Sequence, residues 1–319
     1  MTAPAVGLIS NPGSGHNRDQ FPRIRAQIEN CPAIHHVVTQ SAEQIGPALA
    51  ELAARDIAVL AINGGDGTCS AILGAMLESG LFPRLPLIAL LPGGTANMNA
   101  GDIGIRGSLA RATAEFCHWC ERGAGGGAST VERALLRVVT DADRPSHYGM
   151  FLGAGAVIQG TDYAHREIHS RGLRDDFSLA LGTLRTVWGL VRDDPAFNRH
   201  IAVRIALDGA PARDHDTLIL AISTLQRLAF GMRPFWGEGE GAIRLTLIEQ
   251  HCTRFARTFL SILRGRPSRH ASAANGYHSH NAQQVTLDLR GRLNLDGEIL
   301  TANGPVVITA SRRLEFLRL

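Results

Sequence analysis

The sequence contains no lysine, so arginine supplies every basic side chain other than histidine. A Walker A phosphate loop, the strand lysine of protein kinases and a Schiff-base enzyme all require a lysine amine. The sequence excludes these mechanisms. If the protein binds phosphates, it must use backbone N–H groups, arginine or a metal ion.

Long apolar runs are missing as well. No stretch of about 18 uninterrupted apolar residues occurs, so we expect no transmembrane helix. Met1–Val6 lacks the basic segment and apolar core of a signal peptide. The five cysteines lack the spacing of a disulfide framework, which favours a reduced, cytoplasmic compartment. The net charge of +3 is compatible with approach to an anionic membrane but too small to indicate nucleic-acid binding.

What the sequence does contain is an amino-terminal alternation of strand and helix patterns. Its 319 residues suffice for two domains. Helical patterns separate the apolar strands, and this alternation predicts a parallel sheet covered by helices on both faces. The predicted strands are Val6–Ser10, Ile34–Thr39, Ile57–Ile62 and Leu85–Leu91, and the predicted helices are Arg18–Glu29, Glu43–Arg55, Cys69–Glu78 and Ser108–Glu121.

After Gly123–Ala128, a glycine-rich segment that we interpret as a linker, the pattern changes. Most later strands follow one another without helical crossovers, which predicts an antiparallel β domain. Helical patterns interrupt it at Asp176–Val191 and Arg254–Leu263. The predicted strands are Ala134–Thr140, His147–Gly153, Ile201–Leu207, Thr217–Ser223, Arg244–Glu249, Gln284–Leu289 and Gly304–Thr309.

Glycine-rich loops follow three of the amino-terminal strands, at Asn11–Gly15, Asn63–Thr68 and Pro92–Thr95. Ligands of open parallel sheets bind beyond the carboxyl ends of the strands. We therefore expect the three loops to meet at one edge of the sheet. This convergence carries more weight than any single loop.

The loop Asn63–Thr68 has the chemistry of a phosphate site. Its glycines let the backbone approach an anion, and the N-terminus of the following helix favours negative charge. Asp66 between these glycines makes sense as a metal ligand or proton acceptor. The alternative is a tight turn in which Asp66 caps the helix, and Asn11–Gly15 could likewise be a plain turn.

Four motifs together resemble the diacylglycerol kinase catalytic-domain family, which includes bacterial lipid kinases related to sphingosine and ceramide kinases. These motifs are Asn11–Gly15, Gly64–Thr68, Gly94–Asn97 and Asp296–Glu298, in the order of the family. The resemblance implies a three-layer α/β nucleotide domain with a parallel sheet, a mainly antiparallel β-sandwich domain and an active site in the cleft between them. It predicts an ATP-binding domain at 1–128, a lipid-substrate domain at 129–310 and a last segment, 311–319, that packs on the first domain.

The resemblance also implies roles for individual residues. Asp296 is expected to be the catalytic base and Asp66 the organiser of phosphates and Mg²⁺, although the sphingosine kinase branch gives the role of base to the residue matching Asp66. Glu298 is expected to contact the nucleotide or the metal. By residue type alone, Asp296-Gly297 favours a hairpin turn, which is compatible with the roles that the resemblance implies. The residues expected to bind ATP are Asn11, Ser14, Gly15, Asn63, Gly64, Gly65, Gly67, Thr68, Gly93, Gly94, Thr95 and Asn97.

The sequence departs from the family at two places. Met98 stands where family members often carry aspartate, and Asp102 is the nearest substitute. By the resemblance, Gly237–Gly241 corresponds to an Asp-Asp-Gly segment near a structural metal site of the family, and we do not carry that metal over because the aspartates are absent. Cys117 and Cys120 lack a second ligand pair for zinc and are expected in the core.

The sequence thus predicts a kinase that transfers phosphate from ATP to a lipid hydroxyl, with diacylglycerol as the default acceptor. Rival hypotheses are an NAD kinase-like enzyme, another small-molecule kinase of the same superfamily, or a catalytically idle nucleotide- or lipid-binding protein. We expect a cytoplasmic protein that meets its lipid at the inner membrane face, and a homodimer remains open. Arginines around Arg254–Leu263 suit an anionic membrane, but an ordinary surface helix is the favoured interpretation.

Overall fold

The computed structural model describes residues 4–123, 128–140, 145–163, 189 and 200–319. The chain divides into two compact units. The first comprises Met1–Arg133 and Arg313–Leu319, and the second comprises Ala134–Arg312. The predicted helix Asp176–Val191, apart from Gly189, and residues 124–127 of the predicted linker lie outside the described residues.

The first unit is built on a six-stranded sheet with the order β2-β1-β3-β4-β15-β5. All neighbouring strands are parallel except β15 and β5, which are antiparallel. The predicted α/β domain with a parallel sheet is therefore confirmed. The strands are β1 (Val6–Ser10), β2 (Ile34–Val38), β3 (Val59–Gly64), β4 (Leu87–Pro92), β5 (Ser129–Arg133) and β15 (Leu314–Arg318).

Helices cover both faces of this sheet. On one face, Ile24 of α1 and Phe116 of α5 belong to the same buried cluster as Leu8 of β1. On the other face, Gly7 of β1 leaves room for Leu52 of α2, because a Cβ on Gly7 would lie 2.8 Å from a Leu52 methyl. The helices are α1 (Asn17–Glu29), α2 (Ile45–Ala53), α3 (Asp66–Ser79), α4 (Met98–Ile103) and α5 (Leu109–Glu121).

The second unit is rich in antiparallel strands, as predicted. Its sheet has nine strands in the order β12-β11-β10-β8-β13-β14-β6-β7, and β9 pairs with both β10 and β13. The strands are β6 (Leu136–Val139), β7 (His147–Gly149), β8 (Phe151–Gly155), β9 (Ile201–Leu207), β10 (Arg213–Ser223), β11 (Ile243–Glu249), β12 (Tyr277–Ala282), β13 (Gln284–Leu295) and β14 (Glu298–Ala310).

The strands of the second unit form one hydrogen-bonded sheet, because β8 and β9 each pair with both β10 and β13. These two short strands join the halves that a sandwich would keep separate. One buried cluster extends from Leu136 of β6 to Ala282 of β12, near the two ends of the strand order. The α-helices α6 (Ala156–Tyr163) and α7 (Phe255–Leu263) accompany the sheet in the part of the chain that the structure describes.

The helix α7 packs its apolar side on the β unit. Phe259 and Ile262 are buried in a cluster with Ile219 and Ile248 of the sheet. This burial agrees with the favoured interpretation of the arginine-rich segment as a surface helix. No helix among the described residues is long and apolar enough to cross a membrane.

Candidate functional site

The carboxyl-terminal half of the predicted loop Asn63–Thr68 forms the first turn of α3. Strand β3 ends at Gly64 and the helix begins at Asp66, three residues earlier than the sequence pattern predicts. Gly65 is the extended N-cap residue, and no side chain caps this end of the helix. The first N–H groups of a helix have no intrahelical acceptor, so this end is open to an anion.

The three glycine-rich loops do converge. A Cβ on Gly94 would overlap the Cα of Gly65, and a Cβ on Gly15 would lie 2.6 Å from the backbone nitrogen of Thr95. Only glycine permits these approaches between backbones. The loop after β4 therefore lies directly against the loop after β3 on one side and the loop after β1 on the other.

Side-chain hydrogen bonds connect the first and second loops. Asn11 donates through Nδ2 to Thr68 Oγ1 at 2.9 Å, and the Ser14 and Thr68 hydroxyls lie 3.3 Å apart. The backbone N–H of Gly65 donates to Ser14 Oγ at 3.3 Å. These contacts hold the Asn11–Gly15 turn over the start of α3.

The third loop closes on itself through Asn97. The Gly94 N–H donates to Asn97 Oδ1 at 2.9 Å, and Asn97 Nδ2 donates back to the Gly94 carbonyl at 2.8 Å. Asn97 has a φ of +46°, a left-handed conformation that asparagine tolerates better than most residues. Asn97 therefore shapes the turn, and both polar atoms of its side chain are hydrogen-bonded to Gly94.

Asp66 caps the neighbouring helix α4. One carboxylate oxygen accepts the N–H of Met98 at 3.0 Å, and the other accepts the N–H of Asn99 at 2.9 Å. Burial raises the pKa of the Asp66 carboxyl, and the two N–H groups oppose this rise. A carboxylate offers about four lone-pair sites, so both oxygens retain capacity for a further partner.

Met98 stands where the family often has an aspartate. The backbone accommodates this change, since the Met98 N–H is the group that Asp66 binds. Asp102 does not take the place of the missing carboxylate. Its buried side chain accepts a bond of 2.6 Å from Arg133 Nε, which links α4 to β5. Asp102 therefore has a structural partner of its own.

Two buried asparagines lie beneath the loops: Asn63, which was expected from the sequence to bind ATP, and Asn17, which sequence reasoning missed. Asn17 Nδ2 donates to the carbonyls of Asn11, at 2.8 Å, and Asn63, at 3.3 Å. Asn63 Nδ2 in turn donates to Ser10 Oγ at 3.2 Å. The Oδ1 atoms of Asn17 and Asn63 are buried without a hydrogen-bond partner among the described residues. The signal available in the sequence was a polar residue directly after an apolar strand pattern, as Asn63 follows Ile57–Ile62.

In the second unit, Asp296 and Gly297 form the turn between β13 and β14, with φ of +48° and +97°. The predicted hairpin turn is thus present. The buried Asp296 carboxylate accepts the N–H groups of Met150, at 2.7 Å, and Phe151, at 3.0 Å. Glu298 is exposed at the start of β14.

These bonds interrupt the predicted strand His147–Gly153. It is observed as β7 and β8, separated at Met150. The Met150 N–H donates to the Asp296 carboxylate, and the Met150 carbonyl accepts a hydrogen bond from the Ser223 hydroxyl at 2.6 Å. The Asp296 carboxylate thus occupies the Met150 N–H, while the Met150 carbonyl also accepts the backbone N–H of Thr224 at 3.1 Å.

The cysteine pair Cys117 and Cys120 is buried in the core of the first unit, as expected. Burial raises the pKa of each thiol to about 12, which disfavours the thiolate that would bind zinc. The segment Gly237–Gly241 packs against β12, where the N–H of Asn281 donates to the Glu238 carbonyl at 3.1 Å.

Comparison with known proteins agrees with the motifs. Residues 5–123 match the family model of the diacylglycerol kinase catalytic domain. The match contains all three glycine-rich loops, so the resemblance drawn from the sequence is confirmed. No curated protein matches this chain.

Solved structures with a similar fold include three proteins from Bacillus anthracis str. Sterne. One is described as a diacylglycerol kinase, with 15% identity and a TM-score of 0.63. Two are described as putative diacylglycerol kinases, with 16% and 15% identity and TM-scores of 0.68 and 0.66. Each alignment covers 98% of this chain and 96% of the other. At this identity the likeness shows the fold alone.

Proposed function

We propose that this protein transfers the γ-phosphoryl group of ATP to a hydroxyl group of a lipid, with a diacylglycerol-like acceptor as the default. The observation that carries the proposal is the convergence of three glycine-rich loops beyond the parallel strands. The match of residues 5–123 to a kinase catalytic domain supports the same chemistry.

In this proposal the ATP phosphates lie against the start of α3, near Gly64, Gly65, Gly67 and Thr68. Backbone N–H groups there take the role that lysine has in other kinases, because the chain contains no lysine. Asn11, Ser14 and Gly15 border the nucleotide on one side. Gly93, Gly94, Thr95 and Asn97 shape the other side, so that the site is set mainly by backbone positions.

The donor groups fit a magnesium–nucleotide complex. Asp66 keeps free lone pairs on a carboxylate whose orientation the N–H groups of Met98 and Asn99 fix. We propose that Asp66 holds Mg²⁺ that arrives with ATP. When bound, Mg²⁺ would neutralise phosphate charge.

We further propose that Asp296 accepts the proton of the lipid hydroxyl. Its carboxylate is buried and held by the N–H groups of Met150 and Phe151, as a positioned base requires. Glu298, next to the turn, is proposed to contact the nucleotide or its metal. The reaction releases ADP and the phosphorylated lipid.

The deciding experiment incubates the full chain with γ-labelled ATP, Mg²⁺ and either diacylglycerol, a sphingoid base, ceramide or NAD. We expect label in a lipid, most strongly in diacylglycerol. Label in NAD without label in any lipid would indicate an NAD kinase-like enzyme. ATP binding without transfer to any acceptor would favour an idle binding protein.

Variants of the two aspartates test their roles. We expect Asp66→Asn and Asp296→Asn each to lower kcat by at least about 100-fold, since general-base catalysis alone contributes roughly that much. Asparagine is preferable to alanine because it retains an acceptor for one N–H group at each site. Thermal unfolding must be measured beside activity, because these caps also stabilise the fold. Full activity in both folded variants contradicts the assignment.

A lipid kinase must reach a membrane surface, and two exposed apolar side chains suit this task. Phe230 is 58% exposed and Leu260 is 39% exposed. Their segments meet, because the Arg233 N–H donates to the Leu263 carbonyl at 3.0 Å. Exposed arginines lie within or next to α7, at Arg254, Arg257 and Arg264, which favours anionic lipids.

Cosedimentation with anionic vesicles tests this surface. We expect Phe230→Ser to weaken vesicle binding severalfold while activity on short-chain, dispersed acceptors is kept. Leu81→Ser is the matched control, because Leu81 is 40% exposed in the first unit. Equal binding by both variants would remove Phe230 from the proposed surface.

A further inference from the structure

Three side chains with metal-ligating atoms meet on adjacent strands of the second unit. Glu249 follows Leu247 by two residues on β11, so both side chains lie on the same face of the sheet. His278 of β12 pairs opposite Leu247, and Thr217 of β10 pairs opposite Glu249. His215, two residues before Thr217, lies on that face as well. The pairing of β10, β11 and β12 thus brings the three groups together.

The distances between the ligating atoms suit a small divalent cation. Glu249 Oε1 is 3.0 Å from His215 Nδ1 and 3.2 Å from His278 Nε2. All three atoms lie within 4.8 Å of one another. In tetrahedral zinc sites with bonds of about 2.0–2.1 Å, neighbouring ligand atoms stand about 3.3 Å apart. An ion therefore requires shifts of only tenths of an ångström for the two contacts to Glu249.

The set is partly buried rather than spread over the surface. The side chains of His215, Glu249 and His278 are 14%, 33% and 18% exposed. This exposure leaves a path for an ion and limits competition from solvent. Two imidazoles with one carboxylate suit Zn²⁺ and related transition metals, whereas Mg²⁺ prefers oxygen ligands.

A buried hydroxyl on the same face supplies a second observation. Thr217 is fully buried, and its Oγ1 has no hydrogen-bond partner among the described residues. Such groups are normally bonded, directly or through water. Since Thr217 pairs opposite Glu249, its hydroxyl is available to a metal-bound water or to the ligating carboxylate.

We propose that the second unit binds one divalent transition-metal ion, of which Zn²⁺ is the type case, through His215 Nδ1, Glu249 Oε1 and His278 Nε2. Water completes the coordination. The ion cross-links β10, β11 and β12 and stabilises this part of the sheet. Each imidazole ligates as the neutral tautomer whose ligating nitrogen carries no proton. The site is independent of the nucleotide chemistry, because it uses neither ATP nor Mg²⁺.

The test titrates chelator-treated full-length protein with Zn²⁺ by calorimetry, in the presence of millimolar Mg²⁺. We expect one Zn²⁺ per chain and a higher unfolding temperature with the ion bound. Co²⁺ in place of Zn²⁺ should give the visible absorption of a four- or five-coordinate site. No stoichiometric binding, or binding abolished by Mg²⁺, would overturn the proposal and leave a hydrogen-bonded cluster.

Variants separate metal binding from hydrogen bonding. Glu249→Gln retains an oxygen that accepts from the imidazoles but loses the carboxylate charge, and we expect the Kd for Zn²⁺ to rise by at least about 100-fold. His278→Gln should do the same. His280→Gln, at an exposed position on the same strand, is the control and should leave the Kd unchanged. Equal Zn²⁺ affinity in all three variants would contradict the site.

Discussion

Gly94 shows how a single missing side chain determines the distance between two loops. A Cβ at this position would overlap the Cα of Gly65, and neither atom belongs to a flexible side chain. We expect Gly94→Ala to push the loops apart and to lower kcat/KM for ATP by about 100-fold, the cost of a displacement of about 1 Å. Steady-state kinetics at varied ATP measures the change.

The control is Gly101→Ala. Gly101 lies in α4, where an added Cβ meets nothing within 4 Å. Alanine should be neutral or slightly stabilising there. Equal kinetics in the two variants would show that the approach of the loops is unimportant.

His36 gives the first unit a dependence on pH. Its Nε2 lies 2.8 Å from Ser10 Oγ, below the glycine-rich loops, and burial, aided by Arg25, lowers its pKa. The unfolded chain therefore binds a proton near the ordinary pKa of about 6.5 while the folded chain does not. We expect stability to be full above this pH and to fall as pH drops through it.

Urea unfolding at several pH values between about 8 and 5 tests this expectation. His36→Gln should flatten the dependence on pH, because glutamine keeps a polar partner for Ser10 without titrating. His118→Gln, at a side chain that is 64% exposed, should leave the slope as in the wild type. An unchanged slope in His36→Gln would exclude this residue as the cause.

The positions of the glycine-rich loops were predictable, but the hydrogen-bond partners of Asp66 and Asp296 were not. Glycine runs after apolar strands indicated the loops, since few other roles require consecutive glycines there. The N–H groups that Asp66 and Asp296 bind come from distant segments of the chain. Such contacts depend on tertiary packing, which residue patterns do not encode locally.

At the scale of elements, α4 is fixed at both ends. Asp66 caps its start, and near its end Asp102 binds Arg133 of β5. The Arg133 and Asp102 side chains are 9% and 0% exposed. Because Arg133→Met removes the cation of a buried ion pair, we expect it to destabilise the fold by about 3 kcal/mol. Denaturant unfolding monitored in the first unit measures it.

Arg313→Met is the matched control. Arg313 pairs with Glu132 at 3.1 Å, but these side chains are 69% and 58% exposed. Solvent screens such a pair, so its loss should cost at most about 1 kcal/mol. A similar cost for both variants would mean that burial does not determine the contribution of the Asp102 pair.

Some elements were predictable and others were not, and length alone does not separate them, because the five-residue strand β1 has its predicted bounds. The helix predicted at Arg18–Glu29 is observed at Asn17–Glu29, and β9 has its predicted bounds. Among the described residues, the helices and strands that were missed are α4, α6, β5, β12 and β15. α4 has only six residues, and β12 is mostly polar, so neither shows a clear apolar period. Their form depends on neighbours rather than on their own sequence.

At the scale of the whole molecule, the fold class followed from composition and pattern, because parallel and antiparallel sheets leave different apolar periods. The first unit nevertheless draws on both ends of the described chain. Strand β15 lies between β4 and β5 in its sheet. No local pattern indicates this placement, since Phe316 pairs with Val131 and Ile88, which lie 185 and 228 positions away, and such distant pairing leaves no periodic signal.

Deletion of residues 313–319 tests the importance of this strand. It removes β15, with Phe316 and Leu317 buried, and leaves β4 and β5 without their neighbour. We expect amide hydrogen exchange to accelerate in β4 and β5 while β10 and β11 stay protected. Deletion of Leu319 alone should leave amide hydrogen exchange in β4 and β5 unchanged. Full protection of β4 and β5 without β15 would contradict this role.

The position of β15 has a consequence for synthesis on the ribosome. Amino-terminal domains usually fold first as a chain emerges. Here the sheet of the first unit cannot be completed until Leu314–Arg318 has left the exit tunnel, although most of that unit is made much earlier. The second unit, continuous from Ala134 to Arg312, is complete before then. The unit translated first is therefore the last to finish its sheet.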